Sequence, residues 1–310
     1  MDWETDVEFC PDMGELNFGN MAKGIGEGIF HSDETFQHLL YARYMQMRDL
    51  FRDASYADDL WNLTVNGHSF KNVVEASSPK KDARLKVPIQ YVKSKNSIVQ
   101  QVLKEENLGH DLPVWFCKNG CANSPSYRVM LISQDPLRNG DMAGALYLST
   151  PFGLHSADYR KGGKGIIVST IVDALAFGRA AVYVTDALKV FAREKDFVKN
   201  NYPSIVENSK TALEEEIKVF NPNVIMFIGN DAASMVLSEC FEDTVIPTPL
   251  RIVKEVCGRK RICYVACHTS VINRYRNELV RAGVISPDEH SRSAYARYYV
   301  DAILNGGWTL

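Results

Sequence analysis

Asn223-Val224-Ile225-Met226-Phe227-Ile228 is apolar at nearly every position and stops at Gly229. A strand with one wet face would alternate apolar and polar residues. An unbroken apolar run of this length predicts a strand buried on both faces. Working outward, Ile205–Phe220 ahead of it has helical periodicity, and three comparable runs lie elsewhere: Arg128–Ser133, Ala181–Thr185 and Ile262–Cys267. Stretches of helical periodicity separate them, among them Ile166–Phe177. Strands alternating with helices predict an α/β fold of three layers, with a central four-stranded parallel sheet flanked by helices. In sheets of that kind a site forms beyond the carboxyl ends of the strands.

The residues after each run are therefore the ones to read. Ser133-Gln134-Asp135-Pro136-Leu137-Arg138 follows the first, Thr185-Asp186-Ala187-Leu188-Lys189 the second, Gly229-Asn230-Asp231 the third and His268-Thr269-Ser270 the fourth. Taken singly, an Asp after a strand is more often a helix cap than a catalyst, and a lone His is more often structural. The conjunction places Asp135, Asp186 and His268 on one edge of one sheet, which is the distribution expected of an active site.

These segments carry a family resemblance. Gln134-Asp135-Pro136 resembles the water-activating Q-D-P motif of the uracil-DNA glycosylases, and Pro151-Phe152-Gly153 resembles their base-stacking segment. Val184-Thr185-Asp186 falls where that family reads the base with an Asn. Asn221–Gly229 resembles its P-x-V-I-x-x-L-G strand, and His268-Thr269-Ser270 its H-P-S motif. The order and spacing match over about residues 112–280. The resemblance implies a DNA glycosylase that flips a base out of DNA and hydrolyses its bond to the sugar. Asp135 would hold the attacking water, and His268 would donate to the departing base at O2. Phe152 would stack on the base, with Gln134 and Leu137 beside it. Ser270, Val271, Ile272, Arg274 and Arg276 would meet DNA, the apolar pair as a wedge and the arginines at phosphates. The alternatives are a capping Asp135, a core Phe152 and an ordinary helix start at Val271-Ile272. The resemblance implies no metal and no cofactor, and DNA as partner. It implies a monofunctional enzyme, because no Schiff-base lysine stands out.

Two departures from the family pattern bear on the substrate. An Asn amide both donates and accepts, whereas an ionised carboxylate at Asp186 only accepts. Facing uracil O4 it would oppose two acceptors, at a cost of about 1–3 kcal/mol in a dry pocket. Cytosine presents an amino donor instead, and a protonated carboxyl would also donate to N3. Leu137 stands where the family has a Tyr that blocks C5 substituents. Together they point to C5-modified cytosine, hydroxymethylated or glucosylated, as in bacteriophage DNA. Uracil or deaminated-base repair is the alternative enzyme, and an inactive DNA-binding or base-sensing protein the alternative of another class. A phosphate loop would argue for a nucleotide-binding domain, but Gly162-Gly163-Lys164-Gly165 does not fit G-x-x-x-x-G-K-[ST].

The rest of the sequence sets limits. The chain has 310 residues, 45% hydrophobic and 24% charged, with net charge −3, which is ordinary for a folded protein. No apolar run approaches the roughly 18 residues of a membrane span, and the acidic N-terminus shows no signal peptide, so a cytoplasmic location is predicted. Residues 250–297 carry ten Lys/Arg against four Asp/Glu, a basic face suited to nucleic acid or simply solvated. Glu214-Glu215-Glu216 reads as a solvated helical face. Cys257, Cys263 and Cys267, with the Cys117/Cys121 pair, admit a metal site or buried small hydrophobes. Residues 1–111, with helical periodicity over 31–65 and 95–107, predict a mainly helical N-terminal extension before an α/β domain at 112–310.

Overall fold

The structure, a computed structural model, describes residues 85–88, 108–111, 113–116, 127–134, 145–149, 151–154, 165–177, 180–191, 203–241, 249–289 and 292–306. Its centre is a six-stranded sheet. Strands β4 (Tyr127–Ser133), β6 (Ala180–Asp186), β8 (Val224–Ile228) and β10 (Arg259–Ala266) run parallel in the order β6-β4-β8-β10. The four-stranded parallel sheet read from the sequence is thus present. Two antiparallel edge strands widen it, β3 (Val114–Phe116) beside β6 and β9 (Leu250–Val256) beside β10. β9 joins β10 through Cys257 (φ 51) and Gly258 (φ 74), a pair of positive φ angles that matches the right-handed twist of a tight hairpin.

The central strands read as continuous apolar runs because both faces are covered. Val129 and Leu131 of β4 face one core with Val224, Met226 and Ile228 of β8. Met130 and Ile132 face the other with Ile225 and Phe227. The first core is closed by α1 (Gly165–Phe177) and by a second helix at Arg292–Asn305. The second is closed by α2 (Pro203–Phe220) through Leu213, Ile217 and Phe220, and by α3 (Asn230–Leu237) through Ala232 and Ala233. Among the described residues the further α-helices are α4 (Arg276–Arg281) and α5, the Arg292–Asn305 helix just mentioned. Among the described residues no helix is long and apolar enough to cross a membrane.

The Asn221-Pro222-Asn223 corner locks the strands at their amino ends. Asn223 N–H donates to Arg128 O at 2.8 Å, and Arg128 N–H donates to Asn223 Oδ1 at 2.8 Å. Arg128 Nη1 donates at 2.9 Å to the carbonyl of Phe220, the last residue of α2, where the helix dipole favours a cation. Arg261, 4% exposed, donates to Asn221 Oδ1, Pro222 O and Val256 O. Arg261 is therefore a structural residue and not part of a DNA-facing surface. Arg259 and Lys260 share its end of β10, roughly 25 Å from the strand's other end, so the ten basic residues do not form one face.

A second sheet pairs β1 (Leu85–Pro88), β5 (Ala145–Ser149), β2 (Leu108–Asp111) and β7 (Val190–Phe191) in the order β1-β5-β2-β7. Both described segments of residues 1–111 are strands, and they pair with strands that come later in the chain. The helices expected at 31–65 and 95–107 lie outside the described residues.

Candidate functional site

The strand registers align four residues across the sheet. Ser133 pairs with Asp186, Ile132 with Phe227 and Ala266 with Ile228, so Asp186, Ser133, Ile228 and Ala266 form one row at the carboxyl edge. The row spans three inter-strand spacings, about 14 Å. Gln134, Gly229 and His268 lie just beyond it, and Asp135 follows Gln134 in the chain but is outside the described residues, as is Leu137.

His268 is the best-defined group. The backbone N–H of Ser270 donates to its Nδ1 at 3.2 Å, and Ser270 Oγ lies 2.7 Å from the same atom. A backbone N–H only donates, so Nδ1 accepts and the neutral ring carries its proton on Nε2. The ring is thereby set to present an N–H donor. Behind it, Gly229 adopts φ 113 and ψ 148, a combination open essentially only to glycine. A Cβ there would sit 3.6 Å from His268 Cβ and Cδ2. Gly229 N–H donates to Ala266 O at 2.8 Å, and Tyr299 of α5 donates to the carbonyl of Cys267 at 2.8 Å. The two residues that lead into His268 are thus held from other elements.

Phe152 faces this histidine, with ring centroids 6.3 Å apart and planes inclined by 32°. It sits in a 3-10 turn, Pro151–Gly153, at φ 56 and ψ 12. A left-handed backbone in a bulky residue is strained, and such strain concentrates at functional sites. One side of Phe152 packs on the core and the rest remains accessible, so the stacking and core readings both describe part of it.

Asp186, 4% exposed, ends β6. The segment after it is stitched to β4: Ala187 N–H donates to Ser133 O at 2.8 Å and Leu188 N–H to Gln134 O at 2.9 Å. Gln134 is half-buried. Asp231 belongs to the first turn of α3, where an acidic residue favours the helix.

Several expectations are corrected. Ile272 is fully buried in the core. In the 3-10 turn Ile272–Tyr275 successive residues point about 120° apart, so of the expected wedge pair only Val271 keeps exposed surface. Arg274 is exposed, whereas Arg276 is half-buried and donates to the carbonyl of Pro287. Glu214 and Glu215 are exposed but Glu216 is completely buried. It pairs with Lys189, itself only 6% exposed. Cys263 packs in one core and Cys267 against the other, so these two cannot share a metal. Burial pushes the Cys263 thiol up to about 12. Among the described residues no cluster of metal-ligating groups occurs. Cys117, Cys121 and Gly162-Gly163-Lys164 lie outside them.

Sequence reasoning missed Gly229, Tyr299, Lys189 and Glu216. One signal was available for Glu216: it lies on the same α2 stripe as Leu213, Ile217 and Phe220, three and four residues apart.

The three-layer α/β domain thus gathers an oriented imidazole, a facing aromatic ring and a buried carboxyl at the carboxyl edge of its parallel strands. The family model described as the Uracil DNA glycosylase superfamily matches residues 122–295, more than half of the chain and including every residue of this edge, and the chain belongs to that superfamily. Membership supports a DNA glycosylase-type function with DNA as the substrate. No curated protein matches the chain.

Proposed function

We propose that this protein is a monofunctional DNA glycosylase that excises C5-modified cytosine, hydroxymethylated or glucosylated, as a defence against phage. The observation that carries the reading is Asp186, a buried carboxyl at the end of β6 where the resemblance places a base-reading Asn. A buried carboxylate favours a base edge that presents donors, and cytosine offers its amino group where uracil offers an acceptor. Leu137 in place of Tyr supports the same choice by leaving room at C5.

The reaction needs few groups. Asp135 holds a water against the sugar carbon. The water oxygen bonds to that carbon as the carbon–nitrogen bond breaks, the base departs with the electron pair, Asp135 takes the proton the water loses, and that proton passes through solvent to the released base. Nε2–H of His268 donates to O2 of the base as charge develops there. Phe152 stacks on the extruded ring, and its strained backbone fixes where the ring sits. Val271 fills the gap left in the duplex, and Arg274 meets phosphate.

The test offers the full-length protein matched duplexes containing uracil, cytosine, 5-hydroxymethylcytosine or glucosylated 5-hydroxymethylcytosine, followed by alkaline cleavage at abasic sites. Release of modified cytosine alone, lost in Asp135→Asn, is expected. Release of uracil would keep the enzyme class and overturn the specificity. Binding without release from any duplex would favour a base-sensing protein.

A further inference from the structure

Lys189 and Glu216 meet inside the molecule. Lys189 Nζ lies 2.8 Å from Glu216 Oε2 and donates to Thr185 Oγ1 at 2.6 Å. The Thr185 hydroxyl donates in turn to Glu216 Oε2 at 2.9 Å. The lysine is 6% exposed, the threonine 1% and the glutamate 0%. Removing two charges from water is costly enough that apolar residues of equal volume often serve stability as well or better. Stability alone is therefore a poor reason for this triangle, and its location supplies a better one.

Thr185 immediately precedes Asp186, and Lys189 closes the segment Asp186-Ala187-Leu188-Lys189. Glu216 belongs to α2, as does Ser209, whose Oγ accepts from the backbone N–H of Lys189 at 3.1 Å. Between these ends, Ala187 and Leu188 donate to the carbonyls of Ser133 and Gln134. The segment is thus tied on one side to α2 and on the other to the residues that lead into Asp135.

We propose that the Thr185–Lys189–Glu216 triangle is a positioning device for the reaction: it fixes the segment that carries Asp186 and, through Leu188, the Gln134 carbonyl next to Asp135. The Asp186 segment and the Gln134 carbonyl are then set as one unit against α2. This rests on the roles given above to Asp186 and Asp135. The triangle touches neither base nor water and acts through those two residues.

Two full-length variants test it. The triple variant Thr185→Val, Lys189→Met, Glu216→Leu removes the charges and hydroxyl at nearly constant volume. Thr185→Val alone cuts the contact to β6 and keeps the ion pair. The first readout is hydrogen exchange at the Ala187 and Leu188 amides without DNA, expected to quicken on the order of tenfold. The second is single-turnover base release from whichever of the four duplexes the wild type cleaves. Its amplitude reports the folded fraction and its rate constant the geometry of the site. We expect wild-type amplitude, unchanged duplex affinity and a slower rate constant, since a 1 Å misplacement costs on the order of 100-fold. A reduced amplitude with an unchanged rate constant would mean a merely structural role and overturn the proposal. Unchanged amide exchange in a folded variant overturns it as well. If the triple variant fails to fold, Thr185→Val decides by the same readings. If the wild type releases no base at all, the proposed function fails while amide exchange still decides whether the triangle fixes this segment.

Discussion

Gly229→Ala perturbs the candidate site through one methyl group. At φ 113 and ψ 148 an L-residue is strained by about 1–3 kcal/mol. The added Cβ meets no hard obstacle, because its nearest neighbours, the Cβ and Cδ2 atoms of His268, stand at 3.6 Å. The cost is therefore conformational. For a domain of this size each kcal/mol lowers Tm by about 2–4 °C, so the expected loss is about 2–12 °C. The backbone relaxes only by moving Gly229, and that strains its 2.8 Å bond to Ala266 O and its packing on the imidazole. Displacements of a fraction of an ångström up to 1 Å slow the chemical step roughly 10- to 100-fold. Gly258→Ala is the matched control: φ is also positive, at 74, nothing among the described residues lies within 4 Å of the added Cβ, and the turn sits at the opposite end of β10. It should cost about 1–2 kcal/mol and leave the rate untouched. Calorimetry and single-turnover base release measure the two effects. The reasoning is refuted if Gly229→Ala is as stable and as fast as wild type, or if Gly258→Ala slows release equally.

Ile272→Ala should destabilise the fold by about 2–5 kcal/mol as a core truncation, measured by urea denaturation, whereas Val271→Ala should leave stability alone and weaken duplex binding. Arg274→Ala should reduce the slope of log binding constant against log salt by about 1, while Arg261→Ala should lower stability and leave that slope unchanged. Among the described residues the buried Thr269 Oγ1 has no hydrogen-bond partner, so Thr269→Val should be neutral or stabilising by about 1 kcal/mol; a large loss of rate at unchanged stability would instead place that hydroxyl against substrate. With its thiol pushed up to about 12 by burial, Cys263 should resist alkylation at pH 8 in the native protein, and among the described cysteines the exposed Cys240 should label first, as peptide mapping would show.

The parallel sheet was legible because each central strand is buried on both faces and so reads as one apolar run. The edges were harder. β9 alternates exposed and half-buried positions in Leu250–Val256, a one-sided pattern, and its charges drew it into the basic face. The strand ends pointed to the candidate site, since Asp186 and His268 follow from the α/β rule alone. What remained hidden depends on contacts distant in sequence. Lys189 and Glu216 are 27 residues apart, and Tyr299 reaches Cys267 across 32. A run of three glutamates looks uniformly solvated until helical phase separates Glu216 from its neighbours. Ile272 was misread because adjacency in sequence does not mean a shared face in a 3-10 turn.

The second sheet has a consequence for synthesis. β2 lies between β5 and β7, the strand that leads into Phe152 and the strand that follows Lys189. It leaves the ribosome before either partner. About 80 residues separate Asp111 from Phe191, which at ~5–20 residues per second leaves this edge waiting on the order of 4–16 s. Only the arrival of β7 completes the sheet, so the segment that follows Asp186 and Lys189 is also the one that ends the exposure of an unpaired strand. A nascent chain stalled before Val190 would carry that open edge, and ribosome-bound truncations ending on either side of Phe191 should differ in how readily they aggregate.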